Sequence, residues 1–166
     1  MRLIAAALLL LVSAVPAFTQ DVQATIVKHL KTSREFTLKV AEAMPESSYD
    51  FKLTPPQMSF GEQMIHIAQA QDFFLSYLAD QRQSAAKPKS KSKADVIAFL
   101  KSSFDTAIAR AEAATPETLH KEFKTEEGTL TGLELLLGDL DHTTHHRASA
   151  EMYLRAKGIT PPLYEF

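Results

Sequence analysis

The 166-residue chain contains no cysteine. That absence excludes disulfides, thiolate metal sites, a cysteine nucleophile and lipid attachment at a thiol. Any metal the protein holds must therefore sit on His, Asp or Glu. An excess of charge is lacking too: 18 Lys and Arg stand against 20 Asp and Glu. Such a balance gives no field that would draw nucleic acid or an anionic membrane, so the expected partner is a small molecule or another protein. Nor is there any stretch with the strict apolar and polar alternation of a half-buried strand. What is present is a chain that is 45% apolar, enough for one compact domain with a real core.

The one long apolar run lies at the start. Arg2 precedes the continuously apolar Leu3 to Val12, and Val15-Pro16-Ala17 offers small residues before a cut. This is the pattern of a secretory signal at residues 1–17, followed by a domain at 18–166. A membrane anchor is the competing reading, but Leu3 to Phe18 falls short of the roughly 20 residues a spanning helix needs. The expectation is an exported protein, periplasmic or secreted, with no stable membrane anchor once the signal is cut. Loss of Arg2 would leave 17 basic against 20 acidic residues, which does not change the partner argument.

Helical periodicity accounts for the rest. A first helix is expected from about Asp21 to Met44, with Val22, Ile26, His29, Ser33, Phe36 and Val40 on one stripe and Pro45 as its stop. After a loop holding Pro55-Pro56, Ser59 and Glu62 form a capping-box pattern that opens a second helix. It carries Phe60, Met64, Ile67, Phe74 and Leu78 and runs to about Gln81. Lys87 to Lys93 is basic but has no interleaved aromatic residues, so it reads as a solvated linker. The third helix spans about Ser92 to Ala114, with Val96, Phe99, Leu100, Phe104 and Ile108 buried and Thr115-Pro116 at its exit. Residues 115–128 are expected to be loop. Thr131 and Glu134 repeat the capping pattern for a fourth helix that ends near Lys157, before Gly158 and Pro161-Pro162. Four helices with short joints give an all-α fold, a four-helix bundle.

His142 and His146 lie four apart on the last helix, so both rings leave one face a turn apart and can reach one ion. In a chain with six histidines that spacing alone is weak. His66 adds to it, because it sits beside the apolar arc of the second helix, although a hydrogen-bonded core histidine would occupy the same place.

The wording around these positions is more specific. Ser59-Phe60-Gly61-Glu62 leads to His66-Ile67-Ala68, and later come His142-Thr143-Thr144-His145-His146-Arg147, Tyr153-Leu154-Arg155, Gly158 and Pro161-Pro162. In these words, over nearly the whole chain after residue 17, the sequence resembles the DinB-like metalloprotein family. The resemblance implies a four-helix bundle of the DinB-like type with a divalent metal on His66, His142 and His146. It also implies metal-dependent hydrolase chemistry or thiol-dependent transferase or isomerase chemistry, and a homodimer. After the final histidine the family pattern reads Arg-Gly-Gln, whereas this chain has Arg147-Ala148-Ser149, so the contribution of that glutamine is missing or replaced.

Three neutral imidazoles leave a divalent ion its full charge and at least one open position for water, whose pKa at catalytic zinc falls to about 7. Zinc and nickel are the first candidates among the ions imidazole suits. An exported protein lacks ready access to cytosolic thiols, which favours hydrolysis. The alternative is a binding or structural protein whose metal only ties the second helix to the fourth.

Other candidates are weaker. His145 should point to solvent, His29 is either a core histidine or a fourth imidazole near the site, and His120 has no partner at ligand spacing. Asp139 and Glu62, each about a turn before a candidate ligand, could orient a ring or act as a base, but exposed helix carboxylates are the plainer reading. Arg147 could hold an anionic group or pair with Glu151 on the helix surface. Finally, Leu133, Leu136, Leu137 and Leu140 form a stripe roughly opposite the histidines. That stripe needs cover from another helix or from a second subunit.

Overall fold

The computed structural model describes residues 15–79 and 86–165; most of the expected signal and the segment around Gln81 lie outside them. Four long helices carry the fold: α1 (Val15–Ala43), α2 (Phe60–Ser76), α3 (Lys93–Ala113) and α5 (Gly132–Ala156). Between the last two lie a short helix, α4 (Pro116–His120), and an antiparallel hairpin of β1 (Glu122–Thr125) and β2 (Gly128–Thr131). Among the described residues no helix is long and apolar enough to cross a membrane.

The starts of α2, α3 and α5 follow the local chemistry, whereas α1 begins at Val15, ahead of the expected Asp21. At α2, Ser59 Oγ accepts from the Glu62 amide at 3.2 Å while the Glu62 carboxylate accepts from the Ser59 amide at 2.9 Å. Thr131 and Glu134 do the same for α5, and Ser92 caps α3 through the Asp95 amide. Each reciprocal pair satisfies two amides that a helix start leaves open. The end of α2 departs from expectation: the helix closes at Ser76 rather than Gln81. The Ser76 hydroxyl donates to the Phe73 carbonyl, and the Leu78 and Ala79 amides fall back to tighter i→i−3 bonds.

Residues 115–128 are not plain loop, and the fold is mostly helical rather than all-α. Pro116 sits in the first turn of α4 with Thr115 as its cap. Phe123 and Leu130 face each other across the hairpin, which turns at Glu126-Glu127 before Gly128 at φ 114°. Four-residue strands are too short for a periodic signal. The hairpin forms because it docks: Phe123 packs its ring 6.4 Å from that of Tyr77. Gly132 is required at the next joint, since a Cβ there would lie 2.2 Å from the Thr118 carbonyl oxygen.

Two buried clusters fill the interior. One joins Phe36, Met44, Phe60, Phe104, Tyr153 and their neighbours; the other joins Ile26, Leu30, Leu75, Ala111 and Leu136. Leu133 and Leu140 pack against the second cluster. Only Leu137 of the expected leucine stripe is open, at 49% exposure, so helices of the same chain cover most of it. The start of α2 is pinned from two sides. Its Gly61 amide donates to the Tyr49 carbonyl at 2.8 Å, and the Tyr153 hydroxyl donates to the Met58 carbonyl at 2.6 Å. A Cβ on Gly61 would lie 3.0 Å from the Tyr49 ring and 3.2 Å from its carbonyl oxygen, so a larger residue here would have to displace Tyr49.

Candidate metal centre

With its start fixed, α2 runs along α5 and brings His66 against His142 and His146. Ring centroids are 4.9 Å apart for His66 and His142, and 4.4 Å apart for each of the other two pairs. One nitrogen from each ring can be chosen so that all three lie within 4.8 Å of one another. An ion at the usual zinc–nitrogen distance of roughly 2.0–2.1 Å sets its ligands about 3.3 Å apart, so small ring rotations close the group. The spacing on α5 supplies two of the ligands; only the packing of α2 on α5 supplies the third.

Protonation favours the same use. Burial lowers the basicity of His66 and His142. It lowers that of His146 to about 4, helped by the charges that His142, His66 and His145 would carry. All three rings are therefore neutral at pH 7, the form that binds metal. The Nδ1–H of His146 donates to Gln63 Oε1 at 2.6 Å, which fixes the tautomer and leaves Nε2 as the free donor. Gln63 was not singled out in the sequence; its signal was its place one turn before His66, at the same helix face.

The remaining candidates separate. His29 lies outside the three-histidine group. His145 is exposed, although its ring stands 4.9 Å from that of His146. His120 is exposed and bonds back to the Pro116 carbonyl. Glu62 serves the cap and faces Lys91 and Lys52, which hold its carboxyl at about 2 together with the Ser59 amide, the largest cause.

Asp139 and Arg147 correct the surface readings. Asp139 is fully buried, and burial pushes its carboxyl up to about 7, only partly opposed by the nearby Gln71 amide. Neither carboxylate oxygen has a hydrogen bond of ordinary geometry. The Arg147 guanidinium lies 4.5 Å above the Phe36 ring and donates to Ser33 Oγ at 2.9 Å, so it is packed against α1 rather than displayed on the surface. Both follow from α5 being enclosed on two sides, by α2 and by α1, a property its own sequence does not carry.

A cleft of about 830 Å³ opens beside His142, the one residue of the three-histidine group in its wall, with Phe74, Asp141, His145, Ser149 and Met152 around it. A groove of about 910 Å³ along α3 is larger but contains no histidine and no cluster of ligating groups; the cleft at His142 is the one joined to chemistry.

The sequence model of the DinB family matches residues 17–166. This chain belongs to the DinB family. It is 26% identical over 145 residues to the uncharacterized protein YjoA of Bacillus subtilis (strain 168), across 84% of this chain and 94% of that protein. The crystal structure of that DinB-like protein superposes with a TM-score of 0.72, covering 85% of this chain and 97% of the other. A DinB-like protein from Bacillus cereus ATCC 10987 shares the fold at 18% identity, with a TM-score of 0.70 over 85% of this chain and 96% of its own.

Proposed function

We propose that His66, His142 and His146 hold one divalent cation, zinc or nickel, with a position left open towards the cleft, and that the site serves hydrolysis or group transfer on a small molecule. The observation that carries this reading is the convergence of three neutral imidazoles from two helices, with Gln63 fixing one of them. Bound there, the ion would act as a Lewis acid and lower the pKa of a coordinated water to about 7. The protein's part is to keep the rings neutral, to hold His146 by its outer nitrogen, and to admit a substrate beside His142. All three histidines are only half-buried, which favours an open site over the alternative in which the metal merely ties α2 to α5.

Elemental analysis of protein purified without a histidine tag tests the reading directly. We expect about one equivalent of zinc or nickel, lost in His146→Ala. An untagged protein free of both metals, and unable to bind them on addition, overturns the site. A hydrolase and transferase screen on the loaded form then separates turnover from a purely structural ion.

The same reading takes the four long helices as a four-helix bundle of the DinB-like type, Met1–Ala17 as a cleaved export signal and the protein as a homodimer. Leu137, 49% exposed on α5, supports a subunit contact there. Mass spectrometry of the native amino terminus tests the signal, and light scattering tests the dimer.

A further inference from the structure

Buried polar atoms without partners are rare in native proteins, and each one asks for an explanation. Among the described residues there are five: Gln71 Nε2, Asp139 Oδ1, Asp139 Oδ2, His142 Nδ1 and Thr143 Oγ1. Four of them sit within five consecutive residues of α5, and the fifth comes from α2, the helix that faces them. Their chemistry is complementary. Gln71 Nε2, Thr143 Oγ1 and His142 Nδ1 can each donate, while both acceptors belong to Asp139. Gln71 is held at its other end, where Oε1 lies 3.0 Å from Ser103 Oγ, whose proton is shared with the Ala68 carbonyl; the Asp139 carboxyl on the facing helix is what favours the amide nitrogen towards α5.

Helix geometry puts these groups together. Residues three and four apart are neighbours on a helix surface, roughly 5–6 Å between Cβ atoms, so Asp139 lies next to both His142 and Thr143. Helical side chains lean towards the amino terminus, which carries the His142 ring back over the turn that holds Asp139. A ligand histidine commonly gives its outer N–H to a carboxylate, which fixes the ring and raises its basicity. His146 already has such a partner in Gln63; His142 lacks one, and a fully buried carboxylate one turn away lacks donors.

We propose that Asp139 is the positioning residue for His142: its carboxylate accepts from His142 Nδ1–H, directly or through one buried water, with Thr143 and Gln71 as its other donors. His142 then presents Nε2 to the ion. The two histidines of α5 are thereby held by different means, His146 by an amide on α2 and His142 by a carboxyl group on its own helix. The proposal rests on the metal reading for its purpose, but the hydrogen bond itself requires no metal, so it can be tested separately in the metal-free protein.

The test is imidazole ¹⁵N NMR of the metal-free protein at neutral pH, followed by zinc titration against a competing chelator, for wild type, Asp139→Leu and Asp139→Asn. We expect His142 in the Nδ1–H tautomer in wild type and converted towards Nε2–H in D139L. His146 should stay unchanged as the internal control for folding. Zinc affinity should fall roughly 10–100-fold in D139L. Should D139L not fold, D139N carries the test: a neutral acceptor weakens the bond, and the His142 Nδ1–H proton should move upfield. A wild-type His142 protonated on Nε2, or a His142 signal indifferent to both substitutions, overturns the assignment. If the tautomer depends on Asp139 but wild type takes up no zinc, the positioning stands and the metal reading is the one that falls.

Discussion

The seam between α1 and α3 and the seam between α2 and α5 treat polar groups in opposite ways. Where α1 meets α3, charges stand at the rim in ion pairs, Lys31 with Glu112 at 2.7 Å and Arg34 with Asp105 at 2.8 Å, and the part-buried Gln23 amide is satisfied by the Ala111 and Ala114 carbonyls. Where α2 meets α5, the polar groups lie inside: Gln63 with His146, His66 against His142, and Gln71 near Asp139, among them atoms with no partner at all. The first arrangement minimises desolvation; the second accepts it. A seam optimised only for stability would resemble α1–α3, because buried polar groups cost free energy unless they are fully paired. The α2–α5 seam departs from that pattern, and it is where the three histidines lie.

The comparison breaks most visibly in the apolar interior. Phe104 is fully buried in the first core cluster, and Phe104→Ala should cost about 3–5 kcal/mol in urea unfolding. Zinc stoichiometry should survive wherever that variant remains folded; its loss would mean the two seams are not independent. Gln63→Leu should act the other way round, lowering zinc affinity roughly 10–100-fold in a chelator competition while moving the melting temperature little. A smaller effect belongs to the cap that starts α2. Ser59→Ala should cost about 1 kcal/mol, a fall of roughly 2–4 °C in the thermal melt.

Acid sharpens the same point. The folded-state carboxyl of Glu62 lies at about 2 against an ordinary 4.5. Its contribution is fully present above pH 4.5 and is lost as pH falls towards 2, because the unfolded chain binds the proton first. Melting curves of wild type and Glu62→Gln should converge over that window; a gap that stays constant there would remove the cap carboxylate from the explanation. Smallest of all is the rim: Lys31→Ala should shift the melt by less than about 2 °C, since exposed ion pairs contribute little.

Much of this was legible beforehand where the signal is local. Ser59 with Glu62, Thr131 with Glu134 and Ser92 mark helix starts because a cap is decided within four residues. His142 and His146 share a face because a helix has 3.6 residues per turn. The family wording tied His66 to them, and the three rings do converge. The hairpin at 122–131 was missed because four-residue strands have no period to detect and are held by docking Phe123 on Tyr77. Asp139 offered a fainter signal: it lies two turns before His146 on the same line of α5, so an inward-facing His146 implies an inward-facing Asp139.

The sequence by itself determined the four long helices, the starts of α2, α3 and α5 and which histidines share a face, since those depend on dihedral preferences and on neighbours within a turn; the short α4 and the start of α1 at Val15 it did not. Tertiary structure alone decided that α5 is enclosed on two sides. From that enclosure follow the burial of Arg147 against Phe36 and of Asp139 beside Gln71, the bond from His146 to Gln63, and the cover over Leu133, Leu136 and Leu140. The reason is physical: burial and partner choice depend on which helix arrives from a distant part of the chain, and the free energy that selects the arrival is spread over both cores rather than written at any one residue.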